Sequence, residues 1–267
     1  MNKFRTQIED SGLSPYDRIV LLFAILRSPE GCKWDRAQTH ETLLPYLIEE
    51  AYEVVESIET GRYGDLKEEL GDLLTQVVFH AQLASERGEF DLDDVITQVV
   101  GKLVARHPHV FGEPKDLDPQ QVRDQWERIK TESGEKESVL AGLPRTMPAL
   151  TMAFRMGEKA GGVGFDWKQA ADVVDKIDEE LGELKEELAA PQVDPDRLSE
   201  EIGDLLFAVA SLGRKLHIEP EVALRKALEK FRNRFDELER RVRADGGTFQ
   251  DYSLEELEAI WQQIKSS

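Results

Sequence analysis

The sequence EELGDLL occupies residues 68–74 and returns as EEIGDLL at residues 200–206. An earlier pair of segments also matches, because residues 49–53 read EEAYE and residues 179–183 read EELGE. The first pair is separated by 132 residues and the second by 130, so one loop differs by two residues between the copies. Matching segments in the same order indicate a duplicated module. Its period is far longer than the ~20–50 residues of a solenoid repeat.

Basic and aromatic residues also recur in the same order in both copies. They are Lys102, Arg106, Trp126 and Lys130 in the first copy, and Lys230, Arg234, Trp261 and Lys265 in the second. The polar stretch TESGEKESVL at residues 131–140 contains a glycine and is typical of a linker. We therefore predict a first module over residues 1–135 and a second module over residues 136–267.

Apolar residues follow a helical rhythm through both copies. Spacings of four and three alternate in two apolar seams, which are Leu66, Leu70, Leu73, Val77, His80 and Ala84, and Leu198, Ile202, Leu205, Val209, Leu212 and Leu216. Such seams are typical of helices that pack against other helices. Helix starts are predicted at Ser14-Pro15, Asp118-Pro119 and Asp194-Pro195, and a capping box at Ser253 with Glu256. Alternating β-branched runs are scarce, so we predict an all-α protein.

The charge balance is strongly acidic. The chain holds 34 Lys and Arg against 54 Asp and Glu, for a formal charge of -20. Nucleic acid and anionic membranes repel such a chain, so we expect neither as a partner. One cysteine allows no internal disulfide. The first residues lack the apolar region of a signal peptide, and no stretch approaches the ~20 apolar residues of a membrane span. We therefore expect a cytoplasmic protein.

Carboxylates at helical spacing form the candidate metal site of each module. They are Glu50, Glu53, Glu69 and Asp72 in the first module, and Glu180, Glu183, Glu201 and Asp204 in the second. Residues three apart share a helix face, so two antiparallel helices could bring each quartet together. Carboxylate oxygens without Cys or His suit Mg²⁺, or else Mn²⁺. The alternative is a solvated acidic face. Against it, both copies repeat the pattern with a glycine, Gly71 or Gly203, which suggests close helix approach.

The pattern ExxE, a spacer and ExxD resembles the signature of the all-α NTP pyrophosphatase superfamily, which includes MazG and the dimeric dUTPases. The spacers run over residues 54–68 and 184–200. The tandem arrangement, GCKWD near the start, RHPHVF at 106–111 and WQQIK at 261–265 resemble the MazG family itself. The resemblance covers nearly the whole chain. It implies four-helix-bundle-like cores completed by homodimerisation.

The resemblance also implies Mg²⁺-dependent hydrolysis of NTPs and dNTPs to monophosphate and pyrophosphate, as house-cleaning of the nucleotide pool. On this interpretation a metal-activated water attacks the α-phosphorus. The proton acceptor is a ligand Glu or a water held between Glu180 and Glu183. Basic residues would neutralise the pyrophosphate, and Trp261 could stack on the base. The residues expected to contact substrate are the eight recurring basic and aromatic ones given above.

Charge distinguishes the two modules. The second adds Lys176 and Arg197, each one turn before a carboxylate, where the first has Tyr46 and Asp65. A triphosphate site requires positive charge, so we predict that the second module is the main catalytic site. We then expect Lys176 and Arg197 to contact substrate, and the second quartet to be catalytic.

Other functions remain open from the sequence. A helical regulatory or interaction module with degenerate nucleotide sites is one, although such a scaffold has no reason to keep two intact quartets. A di-iron bundle requires Glu-x-x-His pairs, which the chain lacks. Among enzymes, a dUTP or dCTP pyrophosphatase and a phosphoribosyl-ATP pyrophosphohydrolase are the rivals, because the sequence does not fix the base.

Overall fold

The computed structural model describes residues 3–10, 12–113, 115–132 and 138–266, and these residues form helices and turns with no strand. This confirms the predicted all-α class. The chain divides into two compact units, Met1–Asp116 and Leu117–Ser267. The predicted module boundary at 135/136 and much of the predicted linker lie outside the described residues. Within them, no helix is long and apolar enough to cross a membrane.

The first unit is built around a hairpin of two long helices. Its helices are α1 (Lys3–Ile8), α2 (Pro15–Arg27), α3 (Lys33–Ala37), α4 (His40–Glu59), α5 (Tyr63–Glu86), α6 (Leu92–Arg106) and α7 (Pro108–Phe111). Between α4 and α5, Gly61 takes a φ of 68°, which glycine adopts without steric cost. A buried core joins α2, α4 and α5 through Phe23, Leu43 and Phe79.

The second unit repeats the hairpin and adds two long C-terminal helices. Its helices are α8 (Pro119–Glu132), α9 (Ala149–Gly162), α10 (Ala170–Ala189), α11 (Pro195–Lys215), α12 (Pro220–Ala244) and α13 (Leu254–Ser266). Helix α10 packs along α11, and α9 also packs against α11. Helix α12 contacts α9, α11 and α13. Val173, Leu238 and Val242 are buried in this unit.

The predicted helix starts are confirmed. Ser14 accepts a hydrogen bond from the backbone N–H of Asp17, and Pro15 opens α2. Asp194 caps α11 in the same way, with Pro195 as its first residue. Asp118 accepts a hydrogen bond at the start of α8, and Ser253 with Glu256 forms the capping box of α13.

The repeated glycines do not mark close helix contacts. A Cβ placed on Gly71 or on Gly203 would have no described heavy atom within 4 Å beyond its own helix backbone. Both residues are exposed, because they lie on the outer faces of α5 and α11. Our expectation of close approach at these two positions is therefore wrong for the described chain.

The apolar seams are only partly covered within the chain. Leu70 is 50% exposed on α5, and Ile202 and Val209 are 49% and 45% exposed on α11. Further apolar residues are exposed along α12, namely Leu224, Leu228, Phe231 and Phe235. Patches of this extent are typical of surfaces that another protein covers.

Candidate metal and substrate site

The α4–α5 hairpin brings carboxylates of the first unit together. Glu50 on α4 faces Glu69 and Asp72 on α5, and one oxygen from each lies within 4.8 Å of the others. Glu53 is not part of this triplet, although its negative charge helps to raise the pKa of Glu50. Three members of the predicted first quartet therefore converge, and the fourth adjoins them.

The α10–α11 hairpin also brings three carboxylates together in the second unit, but they come from a different set of motif positions. Oxygens of Glu180, Glu183 and Glu201 lie within 4.8 Å of one another. Glu180 is buried, Glu201 is half-buried and Glu183 is exposed. Asp204 lies one turn further along α11, is exposed and is outside the triplet. The second cluster therefore takes both glutamates from its first helix, whereas the first cluster takes only Glu50.

Desolvation, together with neighbouring negative charge, raises the pKa values of Glu50, Glu69 and Glu183. Desolvation, followed by Asp72 and Glu53, raises the pKa of Glu50. Desolvation and then the charges of Glu180 and Glu201 raise the pKa of Glu183. The pKa of Glu69 is raised by desolvation and then by Glu53. Each cluster thus holds mutually repelling oxygens that a divalent cation would relieve.

A lysine occupies the second cluster. The ammonium of Lys176 lies 2.7 Å from Glu180 and 2.8 Å from Glu179. Hydrogen bonds to Glu179 and then Glu180 raise the pKa of Lys176 well above its usual range, so it is fully charged. The first unit has Tyr46 at the matching place, with its ring edge-on to Trp34 at 5.8 Å between centroids. Only the second cluster therefore carries a cation at this position.

The other residues expected to contact substrate lie on several elements. Arg197 forms an exposed ion pair with Glu187 at 2.8 Å, and Asp65, its counterpart in the first unit, pairs with Arg62. On α12, neither Lys230 nor Arg234 forms an ion pair with a described residue. On α13, the ring of Trp261 packs on Phe231 at 5.2 Å, which places it beside the basic face of α12. Lys265 is exposed one turn beyond Trp261.

The basic and aromatic residues of the first copy that were expected to contact substrate lie in both units. Lys102 is exposed and Arg106 half-buried on α6. Trp126 is half-buried on α8, a helix that packs against α9 and belongs to the second unit. The side chain of Lys130 lies outside the described residues.

An ion cluster near the end of α11 was not identified from the sequence as part of the site. Asp166, in the loop before α10, accepts hydrogen bonds from Arg214 at 2.9 Å and from Lys215 at 2.6 Å. In the sequence, Phe165-Asp166 of the second copy corresponds to Trp34-Asp35 of the first. This correspondence indicates a repeated loop, but it does not show that Asp166 pairs with Arg214 and Lys215. The loop is thereby fixed to α11, the helix that carries Glu201.

Comparison with protein families agrees with the repeated hairpins. The model of the MazG nucleotide pyrophosphohydrolase domain matches residues 38–111 and again residues 169–238. This chain belongs to the MazG family. Each matched segment contains one complete hairpin with its carboxylate cluster, so the two MazG domains correspond to the two copies recognised in the sequence.

Full-length relatives place the whole chain in the MazG family. It is 49% identical over 252 residues to the nucleoside triphosphate pyrophosphohydrolase/pyrophosphatase MazG of Thermotoga maritima, covering 94% of this chain and 95% of that protein. It is 44% identical over 257 residues to a nucleoside triphosphate pyrophosphohydrolase of Escherichia coli K12, covering 95% and 98%. A Mycobacterium tuberculosis protein of the same name is 38% identical over 134 residues, which is 49% of this chain and 41% of that protein.

Proposed function

We propose that this MazG-family protein hydrolyses NTPs and dNTPs to monophosphate and pyrophosphate in a Mg²⁺-dependent reaction, with the second unit as the main catalytic site. The observation that carries the proposal is the convergence of Glu180, Glu183 and Glu201 beside the cation of Lys176. The names of the Thermotoga and Escherichia relatives support the reaction class, since both are called nucleoside triphosphate pyrophosphohydrolases.

The carboxylate triplets fit a hard divalent cation. Their donors are all oxygens and come from two helices, and desolvation with neighbouring carboxylate charge raises the pKa of Glu183 in the second triplet. Glu180, Glu183 and Glu201 would hold Mg²⁺ or Mn²⁺ in the second unit, and Asp204 would reach it through a rotamer change or a water. Glu50, Glu69 and Asp72, with Glu53 beside them, would hold a cation in the first unit. When bound, Mg²⁺ neutralises phosphate oxygens and lowers the pKa of a coordinated water.

The chain's own residues supply the remaining chemistry. Water attacks the α-phosphorus, and the bond from that phosphorus to the bridging oxygen of the β-phosphate breaks. The water oxygen stays on the monophosphate, and its proton passes to a carboxylate of the Glu180 and Glu183 pair, or to a water held between them. Lys176 is placed to exchange its carboxylate partners for phosphate oxygens and to offset charge on the departing pyrophosphate.

The difference in charge between the units favours the second as the catalytic one. Lys176 contacts the second triplet, and the aromatic Tyr46 stands at the same place in the first. A tetra-anionic substrate requires a cation at close range. Arg197 contributes less to this argument, since its guanidinium pairs with Glu187. The first unit would then act as a weaker or regulatory nucleotide site.

The exposed apolar faces support a homodimer. Leu70, Ile202 and Val209 lie on the hairpin helices, and Phe231 and Phe235 on α12. A second copy covering these faces would complete four-helix bundles and bring further basic residues toward the carboxylates. We place the enzyme in the cytoplasm, where it would remove surplus or aberrant nucleotides without binding nucleic acid directly.

Product analysis tests the reaction class. The purified protein is incubated with single NTPs and dNTPs and Mg²⁺, with and without chelator, and the products are separated by anion exchange. We expect equal amounts of monophosphate and pyrophosphate, lost with chelator. Diphosphate and phosphate would contradict the proposed bond, and no turnover by the folded protein would favour the interaction-module alternative.

A further inference from the structure

The ion cluster at Asp166 links the loop before α10 to the last two residues of α11. The carboxylate of Asp166 accepts hydrogen bonds from Arg214 at 2.9 Å and from Lys215 at 2.6 Å. The second terminal nitrogen of Arg214 donates to the other carboxylate oxygen, so the two groups form a two-bond fork. The side chains of Arg214, Lys215 and Asp166 are 11%, 16% and 21% exposed. The cluster therefore fixes both the distance and the direction of the carboxylate.

Helix α9 leaves room for the ion cluster at two glycines that are one helical turn apart. A Cβ on Gly157 would lie 2.7 Å from Nε of Arg214. A Cβ on Gly161 would lie 3.2 Å from Oδ2 of Asp166. A side chain at either position would push on the fork, so the glycines allow α9 to pack directly over it. The fork is thus held between α9 and α11.

The ion cluster also holds the backbone of the loop. Nζ of Lys215 donates to the carbonyl of Trp167, three residues before α10 begins at Ala170. The backbone N–H of Gln169 then donates to the side chain of Asp172 in the first turn of α10, at 3.0 Å. A series of bonds therefore runs from the last residue of α11 to the first turn of α10, the helix that carries two of the three carboxylates.

The carboxylate triplet of the second unit lies between two anchors of the α10–α11 hairpin. The two helices pack along each other, and the short connection at residues 190–194 ties the end of α10 to the start of α11. The ion cluster ties the opposite end. Since each residue advances a helix by about 1.5 Å, slippage of α10 by one residue would move Glu180 and Glu183 that far past Glu201. A misplacement of ~1 Å at a reacting centre costs on the order of 100-fold in rate.

The first unit holds the matching loop by other contacts. At the repeat offset of 132 residues, the last two residues of α11 correspond to Gln82 and Leu83, so the first copy has neither cation. Instead, Arg27 of α2 donates to the loop carbonyl of Asp35 and pairs with Glu86 of α5 at 2.7 Å. The direct bond from a loop carboxylate to the second helix of the hairpin is therefore a feature of the second unit, in which we place catalysis.

We propose that Asp166 is a positioning residue for the reaction of the second unit. By binding the end of α11, it sets the axial position of α10 and so holds Glu180 and Glu183 against Glu201 at the separation that a divalent cation requires. This inference rests on the proposed function and adds a residue that acts through α10 without touching the substrate. A merely structural role would lower the stability of the unit and leave metal affinity and turnover unchanged.

Substitutions on both sides of the ion cluster test the inference. Asp166→Asn keeps the shape of the side chain and removes its charge, whereas Asp166→Glu keeps the charge and tests for rescue. Lys215→Met removes the bond to the loop carbonyl and leaves the fork in place, so it tests the inference even if Asp166→Asn does not fold. Val242→Ala truncates a buried side chain of α12, away from the ion cluster, and is the control for general loosening of the unit.

Two measurements separate positioning from stability. Mn²⁺ affinity is measured by calorimetry without nucleotide, in a Glu50→Gln background that removes a carboxylate of the first triplet, so the titration reports on the second. The values of kcat and KM for a single dNTP are measured at saturating Mg²⁺, at a temperature where circular dichroism shows each variant to be folded.

We expect Asp166→Asn to lower Mn²⁺ affinity about tenfold and kcat about tenfold or more, with a smaller change in KM. Asp166→Glu should recover both to within about threefold of the wild type, because it keeps the charge-assisted bonds. Lys215→Met should lose part of both. Val242→Ala should stay within about twofold although its Tm falls, because its site is remote from the hairpin carboxylates. Unchanged Mn²⁺ affinity and kcat in Asp166→Asn and Lys215→Met would overturn the inference, as would equal losses in Val242→Ala.

The outcomes also separate this inference from the proposed function. Weaker Mn²⁺ binding in Asp166→Asn, with recovery in Asp166→Glu, would support the positioning role even if the wild type hydrolysed no nucleotide. Hydrolysis by the wild type, together with unchanged kcat and Mn²⁺ affinity in Asp166→Asn, would contradict the positioning role alone. Failure of the wild type to bind Mn²⁺ at the second triplet would overturn both.

Discussion

The ammonium of Lys176 lies 2.7 Å from a carboxylate oxygen of the buried Glu180, one helical turn away on α10. The same carboxylate belongs to the triplet that faces α11. Lys176 therefore neutralises part of the charge on a carboxylate that would also hold the metal ion. Binding of a divalent cation would weaken this ion pair and free the ammonium for a phosphate.

Replacing Lys176 by Met should separate metal binding from substrate binding. We expect KM for NTPs to rise about tenfold or more, as for loss of one charge-assisted contact, while Mn²⁺ binds at least as tightly as before. Steady-state kinetics and Mn²⁺ titration measure the two effects. Lys185→Met removes an exposed lysine from the same helix and serves as the control. Weaker Mn²⁺ binding in Lys176→Met would show that the lysine supports the metal site instead.

The pKa of Glu183 predicts how stability depends on pH without metal. Because this pKa is raised above 4.5, the folded protein takes up the proton more readily than the unfolded chain. The charge of Glu183 therefore destabilises the fold above its raised pKa, and the effect disappears as pH falls through that value. Without metal, Glu183→Gln should be more stable than the wild type at pH 7.5, and the difference should shrink toward pH 4.5.

Thermal unfolding with and without Mg²⁺ measures this dependence. In the wild type, Mg²⁺ should raise Tm more at pH 7.5 than at pH 5, because protons compete for the same oxygens. An equal Mg²⁺ effect at both pH values, or a metal-free Glu183→Gln that is less stable at pH 7.5, would contradict the account.

The His40 and His80 pair predicts an opposite pH effect in the first unit. Their Nδ1 atoms are 2.7 Å apart and the ring planes are parallel, so one ring donates a hydrogen bond to the other. Desolvation and then His40 lower the pKa of His80, so the folded protein binds this proton less readily than the unfolded chain. The stability from the neutral pair is complete above pH 6.5 and is lost as pH falls toward the lowered pKa.

Substituting the residue of the second copy tests the histidine pair. His80→Leu introduces the side chain found at Leu212, and it should lose less stability than the wild type between pH 7.5 and pH 5. Denaturant unfolding at both pH values gives the comparison. His217→Asn is the control, because His217 is exposed and Asn tolerates its φ of 57°. The same pH dependence in His80→Leu as in the wild type would rule out the pair as its source.

The ion cluster at Asp166 should contribute measurably to the stability of the second unit. Desolvation alone would raise the pKa of Asp166, but hydrogen bonds from Arg214 and Lys215 outweigh it and hold this pKa below its usual range. Asp166→Asn leaves two mostly buried cations without their anion, at a cost of about 1–3 kcal/mol after allowing for partial exposure. Urea unfolding measures the loss, with the exposed Asp178→Asn as control. A change equal to that of Asp178→Asn would contradict this role.

The repeat predicts more of the fold than of the site. Helix starts such as Ser14-Pro15 depend on local hydrogen bonds, so the sequence alone identifies them. The pairing of the two helices in each hairpin follows from their apolar seams and the short loop between them. As expected, this pairing brings Glu201 close to Glu180. Glu53 stays outside the first triplet and Asp204 outside the second, and this difference is not visible in motifs that read ExxE and ExxD in both copies.

The ion cluster at Asp166 could not be predicted from the motifs, because it depends on how α9 and the loop before α10 close against α11. The contrast of Arg214 with Gln82 is visible in the aligned copies, but its meaning requires knowing that Arg214 faces Asp166. The prediction of close helix approach at the repeated glycines was wrong for the same reason, since the sequence does not show which way a motif position faces. Gly71 and Gly203 share a motif position, and only the structure shows that this position faces outward.

The most direct test compares Glu183→Gln with Glu53→Gln, the matched substitution at the same motif position of the first unit. Turnover of a single dNTP is measured with saturating Mg²⁺, with Glu186→Gln as a control on the exposed face of α10. We predict that Glu183→Gln lowers kcat on the order of 100-fold or more, the scale of a lost acid–base group, while Glu53→Gln and Glu186→Gln keep most of the activity. Equal losses from Glu183→Gln and Glu53→Gln, or a loss confined to Glu53→Gln, would contradict the assignment of catalysis to the second unit.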